Sequence, residues 1–212
     1  HTYAYLEETY GAINEHQLGI AESTCSGVFG TSPAGQGGKA LLSVDVLTQL
    51  AMERAAKARD AVALMGAAAE EYGFYGAGSF EGTAESLLVS DTEEAWIFHI
   101  LPDPTGTSAI WAAQRVPDGE VAVVANAFII REVDPDDEDN FQASASAFSV
   151  AQEKGWWSPS SGKKLDFTAI YSDGEYAHKF YSGRRMWGAF RMFGCPLPSN
   201  YTDLKVDRVY PT

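Results

Sequence analysis

The chain has 212 residues, of which 45% are hydrophobic and 21% are charged, so one domain with an ordinary hydrophobic core is expected. Its 29 acidic and 15 basic residues give a formal net charge of −14. That charge argues against a nucleic-acid-binding surface, which needs clustered Lys and Arg side chains. The sequence also contains no apolar run long enough to predict a membrane span.

The first part of the chain predicts a β-hairpin that ends in three small polar side chains. Residues 9–13 and 18–22 are compatible with β-strands, and the polar residues between them favour a turn. The second strand leads into Ser23, Thr24 and Cys25. A strand end presents side chains rigidly, so these three are candidate substrate-binding residues. The alternative is that they only hydrogen-bond their own backbone.

Two helices are predicted after a glycine-rich break at residues 27–38. The first begins after Ser43, a favourable N-cap, and has apolar residues at the spacing of a core-facing side. The second covers residues 58–72 and should end at Gly73. We expect the two helices to lie antiparallel on one face of a sheet.

Four strands rich in β-branched and aromatic residues should then form an antiparallel meander. Their ranges are 85–90, 95–101, 108–116 and 121–130, with turns expected at 91–94 and 117–119. An acidic loop at residues 134–140 follows, and residues 142–154 and 175–193 are helix candidates. Because the strands are apolar on both faces, we expect one α+β domain with two layers of sheet between outer helices.

Two positions in the second half of the chain are candidate catalytic residues. Asn126 interrupts an apolar stretch, where a neutral amide is costly unless it is hydrogen-bonded. Its amide is either a structural bridge or a donor to a developing oxyanion. Arg184 and Arg185 lie among aromatic residues, where a guanidinium can stack on a ring or neutralise a carboxylate. One of the two is expected to be an ordinary surface charge.

No metal or cofactor is expected. Cys25 and Cys195 allow one disulfide but lack metal-ligand spacing, and no pair of histidines has such spacing either. The acidic loop lacks the glycine and the terminal glutamate of a calcium-binding loop. The sequon at Asn200 matters only in a secretory protein, so the compartment stays open.

Five stretches together resemble the cysteine dipeptidase family that includes bacterial dipeptidase A and the secernins. They are AINEHQLGIAESTCSG, LLSVDVLTQLAMERAAKARDAVALM, SFEGTAESLLVSDTEEAWIFHI, DPTGTSAIWAAQRVPDGEVAVVANAF and YSDGEYAHKFYSGRRMWGAF. This family belongs to the N-terminal-nucleophile hydrolases. The resemblance implies a four-layer αββα fold, with residues 1–212 as the central part of a single domain.

The resemblance also implies a mechanism and roles for five residues. In such enzymes an N-terminal cysteine, exposed by processing, attacks the amide carbonyl, and its own α-amino group is the general base. Asn126 resembles the oxyanion-hole donor, and Arg184 matches the arginine near the nucleophile, with Arg185 as a one-residue alternative. Ser23, Thr24 and Cys25 would form a wall of the substrate pocket.

The chain departs from the family pattern in one respect. It begins at His1, already inside the pattern, and Cys25 has no free α-amine. We therefore expect an internal piece of a longer protein, completed by N- and C-terminal segments and acting on a small peptide substrate. A related amidase for non-peptide acyl amides and a non-catalytic scaffold are the alternatives, and homo-oligomer formation is left open.

Overall fold

A seven-stranded antiparallel sheet organises the chain in the computed structural model, which describes residues 2–9, 12–76, 82–204 and 210–211. The strands are β1 (Tyr5–Leu6), β2 (Ile13–Asn14), β3 (Gly19–Cys25), β4 (Ala84–Ser90), β5 (Ala95–Pro102), β6 (Ala109–Arg115), β7 (Glu120–Val121), β8 (Glu132–Val133), β9 (Phe141–Ala143), β10 (Leu165–Asp166) and β11 (Tyr210–Pro211). The large sheet has the order β1-β2-β3-β4-β5-β6-β9, and β8 pairs with β10 and β7 with β11.

Helices complete the described structure. The α-helices are α1 (Val44–Arg54), α2 (Ala58–Tyr72), α3 (Ala145–Glu153), α4 (Phe167–Tyr171) and α5 (Arg184–Met192). A π-helix, Lys179–Gly183, directly precedes α5. Short 3-10 helices lie at Pro159–Ser161, Glu175–Ala177 and Tyr201–Asp203.

The predicted hairpin is confirmed where the structure describes it. β2 pairs with β3 through Ile13 and Gly19, while residues 10 and 11 of the predicted first strand lie outside the described residues. Asn14 belongs to the strand and not to the turn, and it is buried. Its side-chain amide donates to the carbonyls of Met52 (3.0 Å) and Ala55 (2.8 Å) at the end of α1. The hairpin is thereby attached to a helix end whose carbonyls need partners.

The two predicted helices and the first three predicted meander strands are confirmed. α2 has the predicted bounds and ends at Gly73, which has a φ of 74°. Ser43 lies at the N-cap of α1, although its side chain makes no capping hydrogen bond. Both helices pack on one face of the sheet, and Gly66 of α2 lies against the indole of Trp111. A Cβ at residue 66 would lie 2.3 Å from Trp111 Cε2, so only glycine permits this approach.

The strand predicted at residues 121–130 is wrong. Only Val121 of that range is in a strand, and residues 122–131 are irregular. Asn126 has a φ of 51°, which a strand cannot contain. The backbone N–H groups of Ile129 and Ile130 donate to the imidazole of His99 instead of to a neighbouring strand. The apolar run therefore reports burial of this segment and not its secondary structure.

The two C-terminal helix predictions need correction at their ends. Residues 142 and 143 belong to β9, which pairs with β6, and α3 begins after Ser144, whose side chain caps it by accepting from Ala147 N. The predicted helix 175–193 is divided into a 3-10 turn, the π-helix and α5. Ser182 and Gly183, at the end of the π-helix, are buried.

The mixed α+β class is therefore confirmed. The large sheet has α1 and α2 on one face, and the irregular segment, α3, α4 and α5 on the other. In the described ranges the remaining strands form two-stranded pairs, so the four-layer αββα arrangement stays a prediction. Among the same residues, no helix is both long and apolar enough to cross a membrane.

Candidate functional site

The structure brings Ser23, Thr24 and Asn126 together where β3 ends. The backbone N–H of Asn126 donates to Ser23 Oγ (2.9 Å), and its side-chain Nδ2 donates to the carbonyl of Thr24 (2.6 Å). Asn is one of the few residue types that tolerates a left-handed backbone, which accounts for its occurrence at this bend. Asn126 is only half-buried, so part of the residue is exposed to solvent.

Arg185, and not Arg184, contacts Asn126. Arg185 donates from Nη1 to Asn126 Oδ1 (2.8 Å) and from Nη2 to the carbonyl of Ala125 (3.0 Å). Its Nε donates to the carbonyl of Tyr181 (2.8 Å), and its guanidinium lies 4.2 Å from the centroid of the Tyr181 ring. Arg184 is exposed, and its side chain makes no hydrogen bond or ion pair to another described residue. A positive charge thus lies against the amide oxygen of Asn126.

The π-helix explains why the sequence could not decide between the two arginines. A helical wheel assumes 3.6 residues per turn, and a π-turn shifts the register of every residue after it. Ser182 in that turn also contacts the site, because its buried Oγ donates to the carbonyl of Asn126 (3.4 Å). Sequence reasoning missed Ser182, since a serine in a helical stretch carries no distinguishing pattern.

Cys25 lies behind this wall and not on its surface. Its side chain is fully buried, with Sγ 3.1 Å from Ser86 Oγ and 3.3 Å from the carbonyl of Ser23. Burial, and to a smaller extent the nearby Glu175, raises the pKa of the Cys25 thiol well above its ordinary value. A buried neutral thiol is a poor nucleophile. Cys195 is also buried, and neither cysteine forms a disulfide.

A buried histidine, which sequence reasoning missed, holds the segment that carries Asn126. His99 Nε2 accepts hydrogen bonds from the backbone N–H groups of Ile129 (2.9 Å) and Ile130 (3.3 Å). His99 Nδ1 lies 2.7 Å from Ser86 Oγ. Burial lowers the pKa of His99 to about 3, so the imidazole is neutral at physiological pH. The available signal was His99 within the otherwise apolar β5, and the structure aligns it directly opposite Ser86 of β4.

The row Cys25, Ser86 and His99 superficially matches a thiol, a relay and a base, but it cannot act as one. A general base needs a free nitrogen lone pair near neutral pH. His99 Nε2 already accepts from two backbone amides, and the low pKa of this buried ring disfavours uptake of a proton. The row is therefore a structural connection beneath the site.

A carboxylate lies beside the same end of β3. Glu175 Oε2 accepts from the backbone N–H of Ser26 (2.7 Å), two residues along the chain from the Thr24 carbonyl that Asn126 contacts. Partial burial, followed by the charge of Asp173, raises the pKa of Glu175 despite the hydrogen bond from Ser26. The site therefore has the Arg185 guanidinium at Asn126 and the Glu175 carboxylate at Ser26, just beyond the end of β3.

Among the described residues, no group of three or more His, Cys, Asp and Glu side chains is arranged to hold a metal ion. In the acidic loop, Asp134 forms an ion pair with Lys164 (2.7 Å), and Asp137 accepts from the side chain of Asn140 (3.1 Å). That loop is thus held by ordinary polar contacts.

Comparisons with known proteins agree on a peptidase family. The family model described as Peptidase family C69 matches residues 9–209. A probable dipeptidase of Salmonella dublin is 29% identical over 146 residues, which are 69% of this chain and 31% of that protein. A probable dipeptidase of Latilactobacillus sakei is 29% identical over 150 residues, 71% of this chain and 29% of that protein. The chain thus spans about a third of the length of the relatives it matches.

Proposed function

The chain belongs to peptidase family C69, and from this we propose that it forms part of a cysteine dipeptidase that hydrolyses the amide bond of small peptides. The observation that carries the proposal is the position of Asn126. Its side-chain amide is held by the Thr24 carbonyl and the Arg185 guanidinium, and its backbone N–H by the Ser23 hydroxyl, at a rigid strand end. Donors that are held before the reaction begins are what amide hydrolysis requires.

Asn126 is proposed as the oxyanion donor. Its Nδ2 carries two hydrogens, of which the carbonyl of Thr24 takes one, and the second can point to the oxygen of a scissile amide. As a nucleophile adds to the carbonyl carbon, that oxygen gains negative charge. The hydrogen bond from Nδ2 is then stronger in the transition state than in the substrate, which is the condition for catalysis.

Arg185 is proposed as the arginine of the site in place of Arg184. Its hydrogen bond to Asn126 Oδ1 draws electron density toward that oxygen and makes the Nδ2 hydrogens better donors. The same guanidinium fixes the orientation of the amide, because Oδ1 must face the cation and Nδ2 must face Thr24. Ser23 and Thr24 are proposed as the pocket wall, with Cys25 behind them.

The attacking thiol is proposed to be an N-terminal cysteine outside these 212 residues, because Cys25 and Cys195 are both buried. Its α-amine takes the thiol proton, the sulfur forms a bond to the amide carbon, and the oxyanion receives the Asn126 hydrogen bond. Collapse breaks the C–N bond, and the leaving amine takes the proton from the α-ammonium. Water then hydrolyses the thioester and restores the thiol.

Hydrolysis of unmodified dipeptides by the full-length polypeptide tests this function. We expect release of free amino acids, and loss of that activity after treatment with iodoacetamide, which alkylates an accessible thiolate. Full activity after stoichiometric alkylation would contradict the thiol mechanism. Cleavage of penicillin V-type acyl amides without cleavage of dipeptides would favour the amidase alternative, and cleavage of neither class would favour a scaffold.

A further inference from the structure

We propose that His99, with Ser86, is a positioning residue that fixes the Asn126 segment in the geometry needed for an oxyanion donor. The inference rests on the proposed function, since it assigns His99 a role through Asn126. His99 is fully buried and contacts no open surface, so any effect it has on a reaction must pass through the groups it holds.

Side chains of β5 and α4 supply hydrogen-bond partners to the segment that carries Asn126. Residues 122–131 are irregular, so their buried N–H groups have no strand ladder to supply acceptors. His99 Nε2 accepts from Ile129 and Ile130, and Thr168 binds the carbonyl of Ile130 through its N–H (2.9 Å) and its Oγ1 (2.6 Å). The end of the segment that follows Asn126 is thereby anchored to β5 and α4.

The hydrogen bonds that link His99 to Ser23 have a defined donor and acceptor at each contact. Because Nε2 accepts, the single hydrogen of the neutral imidazole is on Nδ1 and is donated to Ser86 Oγ. Ser86 can then donate to Cys25 Sγ, and the Cys25 thiol donates to the carbonyl of Ser23. The hydroxyl of Ser23 accepts from the backbone N–H of Asn126. Hydrogen bonds from the two ends of the segment therefore converge on Ser23. One series runs from Ile129 through His99, Ser86 and Cys25 to the Ser23 carbonyl, and the N–H of Asn126 donates to the Ser23 hydroxyl.

Aromatic neighbours fix the orientation of the His99 imidazole ring. The imidazole stacks on Phe128, with ring centroids 4.6 Å apart and planes at 25°, and lies nearly parallel to Phe167 at 6.3 Å. Phe128 is itself two residues beyond Asn126. The stacking holds the imidazole plane, and with it the direction of the Nε2 lone pair toward the two amides. His99 thus fixes both the position and the backbone conformation of the turn that presents the amide.

Substitutions at His99 and Ser86 test the proposal in the full-length protein. His99→Leu removes the acceptor, whereas His99→Gln keeps one. We expect His99→Leu to lower kcat for dipeptides by about 10-fold to 100-fold with KM changed less than about threefold, because only a transition-state donor is displaced. His99→Gln should recover most of this loss. Ser86→Ala is the milder change and should lower kcat by an intermediate factor. This variant decides the question if His99→Leu does not fold.

Amide hydrogen exchange of residues 125–131, measured by mass spectrometry, gives a readout that is independent of activity. We expect exchange there to be at least about tenfold faster in His99→Leu or Ser86→Ala. The matched control is Ser144→Ala, which removes a buried hydroxyl between β6 and α3 and should leave exchange at 125–131 and kcat unchanged. Unchanged exchange, or wild-type kcat in a folded His99→Leu protein, would overturn the proposal. If wild-type protein cleaves no dipeptide while exchange responds as expected, the proposed function fails and the positioning role of His99 stands.

Discussion

The acid sensitivity of the fold gives a direct prediction about His99. Its pKa is lowered from 6.5 to about 3 because the imidazole is fully buried. Below pH 6.5 the unfolded chain binds a proton at this residue that the folded chain does not bind, so stability is present above that pH and is lost as the pH falls. At 1.36 kcal/mol per pH unit, the loss of stability between pH 7 and pH 4.5 is roughly 2–3 kcal/mol, out of about 5 kcal/mol between pH 6.5 and pH 3.

Urea unfolding of wild type and His99→Gln across this pH range isolates that loss. The carboxylates titrate in both proteins and cancel in the difference, whereas Gln has no proton to gain. We therefore expect the stability advantage of wild type to shrink by roughly 2–3 kcal/mol between pH 7 and pH 4.5. A difference that stays constant across the range would refute the burial of a neutral His99 in the folded state.

Three further predictions concern the neighbouring groups. Arg185→Met should lower kcat for dipeptides by about tenfold, which is the lower end of the effect of losing a charged hydrogen bond, because the side chain is exposed. Arg184→Met should change kcat less than about threefold. Both values are measured by steady-state kinetics, and equal effects would contradict the assignment of Arg185. Cys25 should resist iodoacetamide in the folded protein and react in urea, as peptide mass mapping can show; rapid labelling of native Cys25 would contradict its burial. The pKa of Glu175 is raised, so its protonated form stabilises the fold below about pH 4.5 and this contribution is lost as the pH rises. At pH 7, Glu175→Gln should therefore have a Tm at least equal to that of wild type, and any excess in Tm should be gone at pH 4. A variant Tm below that of wild type at pH 7 but not at pH 4 would contradict a raised pKa of Glu175.

Elements with strong local signals could be predicted from the sequence. The bounds of α2 match the prediction because an alanine-rich stretch ends at a glycine whose positive φ stops the helix. β4, β5 and β6 lie in stretches rich in β-branched and aromatic residues, and these stretches are separated by turn residues. In each case the information is contained within about ten neighbouring residues, so no tertiary contact was needed to locate the element.

The segment from 122 to 131 could not be predicted, because a distant residue determines its conformation. Its apolar composition is the same as that of a buried strand, but His99 supplies the hydrogen-bond acceptor that a neighbouring strand would otherwise supply. Local composition cannot distinguish these two sources of acceptors. The left-handed backbone of Asn126 has the same origin, since it depends on contacts with Ser23 and Thr24 about a hundred residues earlier.

The candidate site was identified in part. Ser23, Thr24 and Asn126 were selected from the sequence and lie together, and substrate binding by Ser23 and Thr24 and catalysis by Asn126 are still predictions. The choice between Arg184 and Arg185 depended on a π-turn that periodicity does not reveal. Cys25 was grouped with the pocket wall because it ends the strand, yet its thiol is buried in the core between the sheet and α3, α4 and α5.

The turnover number of Asn126 variants of the full-length protein tests the central claim most directly. Asn126→Ala should lower kcat for a dipeptide by about 10²–10³, the usual effect of removing an oxyanion donor. Asn126→Gly, which accommodates the φ of 51° without strain, should lose the same factor, while Asn140→Ala in the acidic loop serves as the control and should retain wild-type turnover. A wild-type kcat in the folded Asn126→Gly protein would contradict the account and leave Asn126 with a structural role alone.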